Sequence, residues 1–462
     1  MSATDTLASL WKLAALPDDG LQNAILTGAD PVLPSSFAVG TAAQASVAAA
    51  ALAAIELGHV RGQPHQQVSV DMTHAALECS GWFSLDGVTP RVWEKFSGLY
   101  TCADGWVRVH ANFAHHRDGA LRLLRLSADT AQRSDAERAL LSWRALDFEH
   151  AAADAGLVVA ACRSFAEWDA HPQGKAVAAL PLFTIERIGD AEPRPMAALN
   201  ANDRPLTNLR VLDLTRILAG PVCGRMLAAY GADVMLINSP NLPNIESIAD
   251  TSRGKLSAHV DLQTTDGCDA LKRLLATSHV FVQGYRSGAL VEHGFGPDEA
   301  AQLRPGIVYV SLCAYGDTGP WRARRGFDSL VQTATGFNLA EAEAAHSAEP
   351  KALPMQILDY ATGHLMAFAA TAALRRQALE GGSWHVKVSL AQTGHWLRRL
   401  GRVENGFSIE RPKVTPYIET TKSGFGELAA MAHSAKFSRT PTRWARPSMP
   451  PGTHPPAWPT TP

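Results

Sequence analysis

The sequence predicts an α/β protein, with a doubly wound parallel sheet in its C-terminal half and a smaller α+β domain from its N-terminal half. Three observations carry that reading. Short apolar runs, "LRVLDL" (209–214), "DVMLI" (233–237), "HVFVQGY" (279–285) and "GIVYVSLCAYG" (306–316), have the length and β-branched content of buried strands. Helical stretches separate them, "AGPVCGRMLAAYGA" (219–232) and "GCDALKRLLATS" (267–278), as in βαβ units with right-handed crossovers. The chain also has 462 residues, too many for one hydrophobic core. Together these give a Rossmann-like layer sandwich beside a second domain.

Composition narrows the function. Hydrophobic residues make up 46% and charged residues 19%, as in ordinary globular proteins, and the formal net charge of −2 favours neither nucleic acid nor an anionic membrane as partner. Six scattered cysteines without a CxxC pair suit reduced thiols in the cytoplasm. The N-terminus, "MSATDTLASLWKLAALPDDG", lacks the basic and apolar regions of a signal peptide. The Ala-rich run 37–58 is long enough to mimic a membrane span, but Thr41, Gln44, Ser46 and Glu56 make it a buried helix.

That run opens an internal repeat. "LPSSFAVGTAAQASVAAAALAA" (33–54) aligns without a gap with "LPMQILDYATGHLMAFAATAAL" (353–374), and at the same offset "HQQVSV" (65–70) aligns with "HVKVSL" (385–390). Where the later copy has Asp359, the earlier has Val39. Asp359 stands at the expected start of a helix, where an aspartate is commonly a cap. The first copy forms the same helix without an acid there, with Ser36 or Thr41 available to cap it.

Residues 1–205 continue with "GLYTCADGWVRVHANF" (98–113), a hairpin turned at Ala103-Asp104-Gly105, and end in the polar linker "LNANDRPLTN" (199–208). The sheet region runs from 206 to 400. From 401 to 462 a Pro- and Trp-rich tail is expected to wrap the surface in extended conformation. The first turn of the sheet region, "LTRILAGPVCG", is not GxGxxG, which argues against NAD or FAD. "AHHRDG" (114–119) lacks a third ligand at metal spacing and reads as a surface loop, so no metal site is expected. No GxSxG elbow marks a serine thioesterase.

Six segments in order resemble the family III CoA-transferases: "LRVLDLTRILAGPVCGRMLAAYGADVMLI", "RGKLSAHVDL", "GYRSGALVEHGFG", "VYVSLCAYGDTGP", "GFDSLVQTATG" and "LDYATGH". The N-terminal half is similar to the same family's smaller domain, so the chain reads as two incomplete copies, the first without the acid. The resemblance implies that Asp359 is a nucleophile. It attacks an acyl-CoA thioester and forms a covalent aspartyl intermediate, from which CoA passes to a carboxylic acid. Free amides at the helix N-terminus would stabilise developing charge there. It further implies that Arg253, Lys255 and Arg286 hold CoA phosphates, with Ala219, Gly220 and Pro221 at the sheet's carboxyl edge. CoA is then a substrate, no cofactor is tightly bound, and an interlocked homodimer is the expected assembly.

Two alternatives stand beside the transferase. An α-methylacyl-CoA racemase needs two opposed bases, and in the racemases resembling this family a histidine occupies "GHD"; here the stretch is "GFD", with Phe327 at that position. A non-catalytic CoA-binding relic would fit the incomplete copies, but the copy with the sheet region retains Asp359.

Overall fold

The computed structural model describes residues 1–286 and 288–459. It is a mixed α/β structure around a seven-stranded sheet. Six of its strands are parallel: β1 (Arg210–Leu214), β2 (Asp233–Asn238), β3 (Lys255–His259), β4 (Val280–Gln283), β5 (Val308–Cys313) and β6 (Ser383–Ser389). They lie in the order β3-β2-β1-β4-β5-β6, and Phe183–Gly189 pairs antiparallel with β6 as the edge strand. The direction of winding reverses between β1 and β4. In open sheets of this kind, ligands sit outside the carboxyl ends of the strands at such a point.

Four helices position the site. They are α1 (Val39–Val60), α2 (Ala219–Ala229), α3 (Asp328–Ala334) and α4 (Ile357–Glu380). The repeat is visible as structure: α1 is followed by strand Val68–Asp71 and helix Met72–Glu78, and α4 by β6 and helix Leu390–Arg399. Helices α1 and α4 are both long and apolar enough to cross a membrane, and both are buried within the fold. They pack against each other through small residues, with Ser46 Oγ and His364 Nδ1 3.1 Å apart across the contact. Gly363 lets α4 meet α2, because a Cβ there would lie 2.4 Å from the Ala219 carbonyl oxygen.

The starts of α1 and α4 differ from the expectation in an instructive way. Asp30, rather than Ser36 or Thr41, caps α1: its carboxylate accepts from the Gly40 and Thr41 amides and the Thr41 hydroxyl. At α4 the amides of Leu358 and Asp359 donate to Asp328. Each helix is capped by an aspartate from another segment, so Asp359 is not needed as a cap.

The expected boundary at 205/206 falls in the linker, but the large sheet crosses it through Phe183–Gly189. The tail also departs from a purely extended path. Ile418–Ser423 and Gly426–Met431 form a hairpin whose second strand pairs with Phe83–Leu85, and Ala435–Phe437 pairs with Val68–Val70. Ala-rich segments such as "ELAAM" have weak intrinsic strand preference, so the partner strands of the N-terminal half decide their conformation. Beyond them the tail does wrap the sheet domain: Trp444 Nε1 donates to the Arg225 carbonyl, and Trp458 Nε1 to that of Leu274.

Candidate functional site

Asp359 lies in the first turn of α4, 5% exposed, on the wall of a chamber of about 80 Å³. Helix and sheet supply only part of that wall. The rest comes from the N-terminal half, including Val92, Trp93, His110, Asn112 and Phe113. Gly81 brings the two halves together: its φ is +64°, and a Cβ there would sit 2.2 Å from the hydroxyl of Tyr360, the neighbour of Asp359. Only glycine is accommodated there without displacing that side chain.

No hydrogen bond to the Asp359 carboxylate is found among the described residues. Burial, reinforced by the negative charge of Asp328, pushes its acid well above the usual carboxylate range. Asp328 is fully buried and is itself pushed up to about 6, chiefly by burial and against the hydrogen bonds it accepts from Asp359, Gln332 and Leu358. In the sequence, "GFD" draws notice through Phe327, and nothing local marks Asp328 beside it. Because Asp328 takes the α4 amides, those amides are not free to stabilise an oxyanion, contrary to the expectation. Unpaired polar atoms in the chamber wall are instead Ser329 Oγ and His110 Nδ1. His110 stacks on Phe327 with ring centroids 4.0 Å apart, and burial pushes its imidazole down to about 3, so it is neutral. No local signal marked His110; it reaches the chamber only because the strand Gly105–Val109 packs beside α3.

A wider cleft of about 380 Å³ adjoins the chamber across Phe113, Ile217 and Phe327. It opens at the carboxyl ends of β1, β4 and β5, where the winding reverses. Its lining carries Arg216, Arg286, Arg322, Arg324 and Arg325 and, among the described residues, no carboxylate. Arg286 is exposed there. In the sequence, the run "RARR" (322–325) is the local signal for this cleft. His116 lies 5% exposed in the helix Ala114–Leu123, so "AHHRDG" is not a surface loop. Ile217 has a φ of +78°, strained for a β-branched residue, and faces both spaces.

Arg253 and Lys255 lie elsewhere, and their expected contact with phosphate is corrected. Lys255 is completely buried; its Nζ donates to Asp213 Oδ2 and to the Pro221 carbonyl, each at 2.8 Å. Arg253, 3% exposed, pairs with Asp250 and Glu419 and stacks on Trp444. Ala219, Gly220 and Pro221 are likewise buried in the first turn of α2 and line neither space, while Ile217 and Leu218 just before them do. Gly220 is required because a Cβ would meet Thr215 at 2.3 Å. Removing one partner of a buried ion pair leaves the other uncompensated. Lys255→Ala should therefore lower the unfolding free energy by about 3–5 kcal/mol in urea denaturation. The ligand affinity of the folded fraction should be unchanged.

Among the described residues no group of three or more His, Cys, Asp or Glu is placed to hold a metal. A family model described as CoA-transferase family III matches residues 206–402. Over those residues the chain is similar to CoA-transferase family III. Among curated relatives, an acyl-CoA transferase of Gibberella moniliformis is 28% identical over 73% of this chain and 66% of its own length. A succinate–glutarate CoA-transferase of Agrobacterium fabrum is 30% identical over 51% of this chain and 65% of its own. A probable fatty acyl-CoA transferase of Mycobacterium tuberculosis is 31% identical over 46% and 58%. The chain thus spans less than two thirds of these relatives. A crystal structure of the mycobacterial protein aligns with a TM-score of 0.37 and 30% identity, covering 43% of this chain and 59% of that one. The region matched by the family model contains β1 to β6, the arginine run and Asp359; the chamber wall carrying Trp93 and His110 lies outside it.

Proposed function

We propose that this chain is an acyl-CoA transferase that moves CoA from a thioester to a carboxylic acid through Asp359. The observation that carries the reading is a buried carboxylate relieved of capping, facing a chamber that joins an arginine-lined cleft. A Rossmann-like reading of the sheet is supported by its strand order. CoA phosphates would lie along Arg286, Arg322 and Arg325, since Arg324 is paired with Glu149, with the pantetheine thioester reaching Asp359 past Phe113 and Ile217. An Asp359 oxygen attacks the thioester carbonyl, the C–S bond breaks, and CoA thiolate leaves a mixed anhydride. Thiolate then attacks the aspartyl carbonyl, releasing the first acid and leaving an aspartyl-CoA thioester. The acceptor carboxylate attacks that thioester, and thiolate returns to the new anhydride, giving the new acyl-CoA and free Asp359. Neutral His110 and the Ser329 hydroxyl are the donors available to developing oxyanions.

Purified protein incubated with a panel of acyl-CoAs and carboxylates should yield new CoA thioesters detectable by mass. No new thioester from any pair would count against the transferase. Arg286→Ala should weaken CoA binding by about 1.5–3 kcal/mol, the loss of charge-assisted hydrogen bonds. An unchanged dissociation constant would make Arg286 a solvated surface charge. Cytoplasmic location and a homodimer complete the proposal; light scattering checks the second. The walls contributed by the N-terminal half support a site completed within one chain.

His110 gives the racemase reading a specific observation, since a histidine does stand in the Asp359 chamber. An imidazole held near 3 is a weak base toward an α-proton. A 2-methylacyl-CoA incubated in deuterated water should accordingly gain no α-deuterium; enzyme-dependent exchange would favour the racemase.

A further inference from the structure

A second cavity, of about 270 Å³, lies at the opposite end of the same strands. Leu209 precedes β1, His279 precedes β4 and Gly306 precedes β5, so it opens at the amino edge of the sheet. Its charged and titratable lining is Arg61, Arg194, Arg304 and His279, with no carboxylate among the described lining residues.

Arg61 is 3% exposed, and its guanidinium donates to the carbonyls of Ala197, Pro205 and Thr207. Those bonds satisfy donors without neutralising charge. None of Arg61, Arg194 and Arg304 forms an ion pair among the described residues. Burial pulls Arg61 down to about 10, partly offset by the more distant charge of Asp203. Buried charges are ordinarily paired, so Arg61 departs from the usual pattern, while Arg304 is half-buried and Arg194 exposed at the mouth. Arg304 Nε donates to the Ser278 carbonyl, which leaves its two terminal nitrogens without a described acceptor. His279 Nδ1 accepts from the Arg210 amide, and burial keeps the ring neutral, so its proton sits on Nε2 as a further donor.

We propose that this cavity binds a small oxyanion carrying two or more negative charges, a diphosphate or a short polycarboxylate. The missing counter-charge sets the sign of the ligand. The forked donors of Arg304 and Arg194 suit paired oxygens. The volume sets the size, since pockets for whole drug-sized ligands run to about 300–1,000 Å³. One wall is the segment Arg194–Ala197 of the connection between the two halves, held by Arg61, so the anion bridges that connection to the sheet. The proposal is independent of the chemistry at Asp359.

Calorimetric titration with sodium pyrophosphate and, separately, sodium citrate tests it, at constant ionic strength set with chloride. The arginine-lined cleft also attracts anions, so two double variants are compared with the wild type. Arg194→Ala/Arg304→Ala should weaken binding of at least one anion tenfold or more, while Arg286→Ala/Arg325→Ala retains that binding event. The anion more tightly held names the ligand class. Arg194→Glu is a second variant that leaves packing alone, because Arg194 is exposed and makes no described hydrogen bond; it should weaken the same event. Wild-type affinity in Arg194→Glu and in the first double variant, or loss of all binding in the cleft variant, would overturn the proposal.

Discussion

Asp359→Asn is expected to reduce CoA transfer by at least about a thousandfold, as when the nucleophile of a covalent mechanism is removed. The fold should survive, because Asp328 rather than Asp359 accepts the α4 amides. Circular dichroism and the denaturation midpoint check the fold, and thioester formation followed by mass checks the rate. Hydroxylamine added during turnover should mark Asp359 in the wild type and leave the Asn variant unmodified. A folded variant with near-normal transfer would end the covalent mechanism. The pH profile gives a second readout. Only the ionised acid attacks, and burial and Asp328 both raise its pKa. The rate should therefore fall with decreasing pH through a limb above the usual carboxylate range. Asp328→Asn removes the like charge and should move that limb to lower pH.

The second large effect concerns the two halves. Residues 206–462 expressed alone should be insoluble or inactive. The fragment would expose the α4 face that packs on α1, and also Phe368, which stacks on Trp11 of the helix Ala3–Leu13. It would also leave Gly426–Met431 and Ala435–Phe437 without their partner strands, and open edges of that kind promote aggregation. A buried charge network would be broken as well, because Glu78 of the N-terminal half faces Arg225 and His433. Co-expression of residues 1–205 should restore solubility and transfer. A soluble, fully active fragment would show instead that the N-terminal half is separable and that Trp93 and His110 are dispensable.

The contrast between Val39 and Asp359 follows from the same geometry. Both helices begin alike, and each borrows its cap from another segment, Asp30 in one case and Asp328 in the other. Position 359 is thereby released from structural duty. Val39 is completely buried, whereas Asp359 meets a chamber.

What the sequence by itself determined is local and periodic: the apolar runs that became β1, β2, β4 and β5, the hairpin at 98–109, the long helices of the repeat and the place of Asp359 at a helix start. Those features rest on the pattern within one continuous segment, which that segment can encode alone. The tertiary structure decided which charges are free. "SRGK" and "GYRSG" both offer basic residues in the sequence, yet Arg253 and Lys255 meet Asp250, Glu419 and Asp213 across the fold, while Arg286 meets the cleft. It also decided that the tail adds strands to N-terminal sheets, and that Trp93 and His110 stand opposite an aspartate far along the chain. An ionisable side chain takes its role from partners brought near by packing, and no short stretch of sequence contains both members of such a pair.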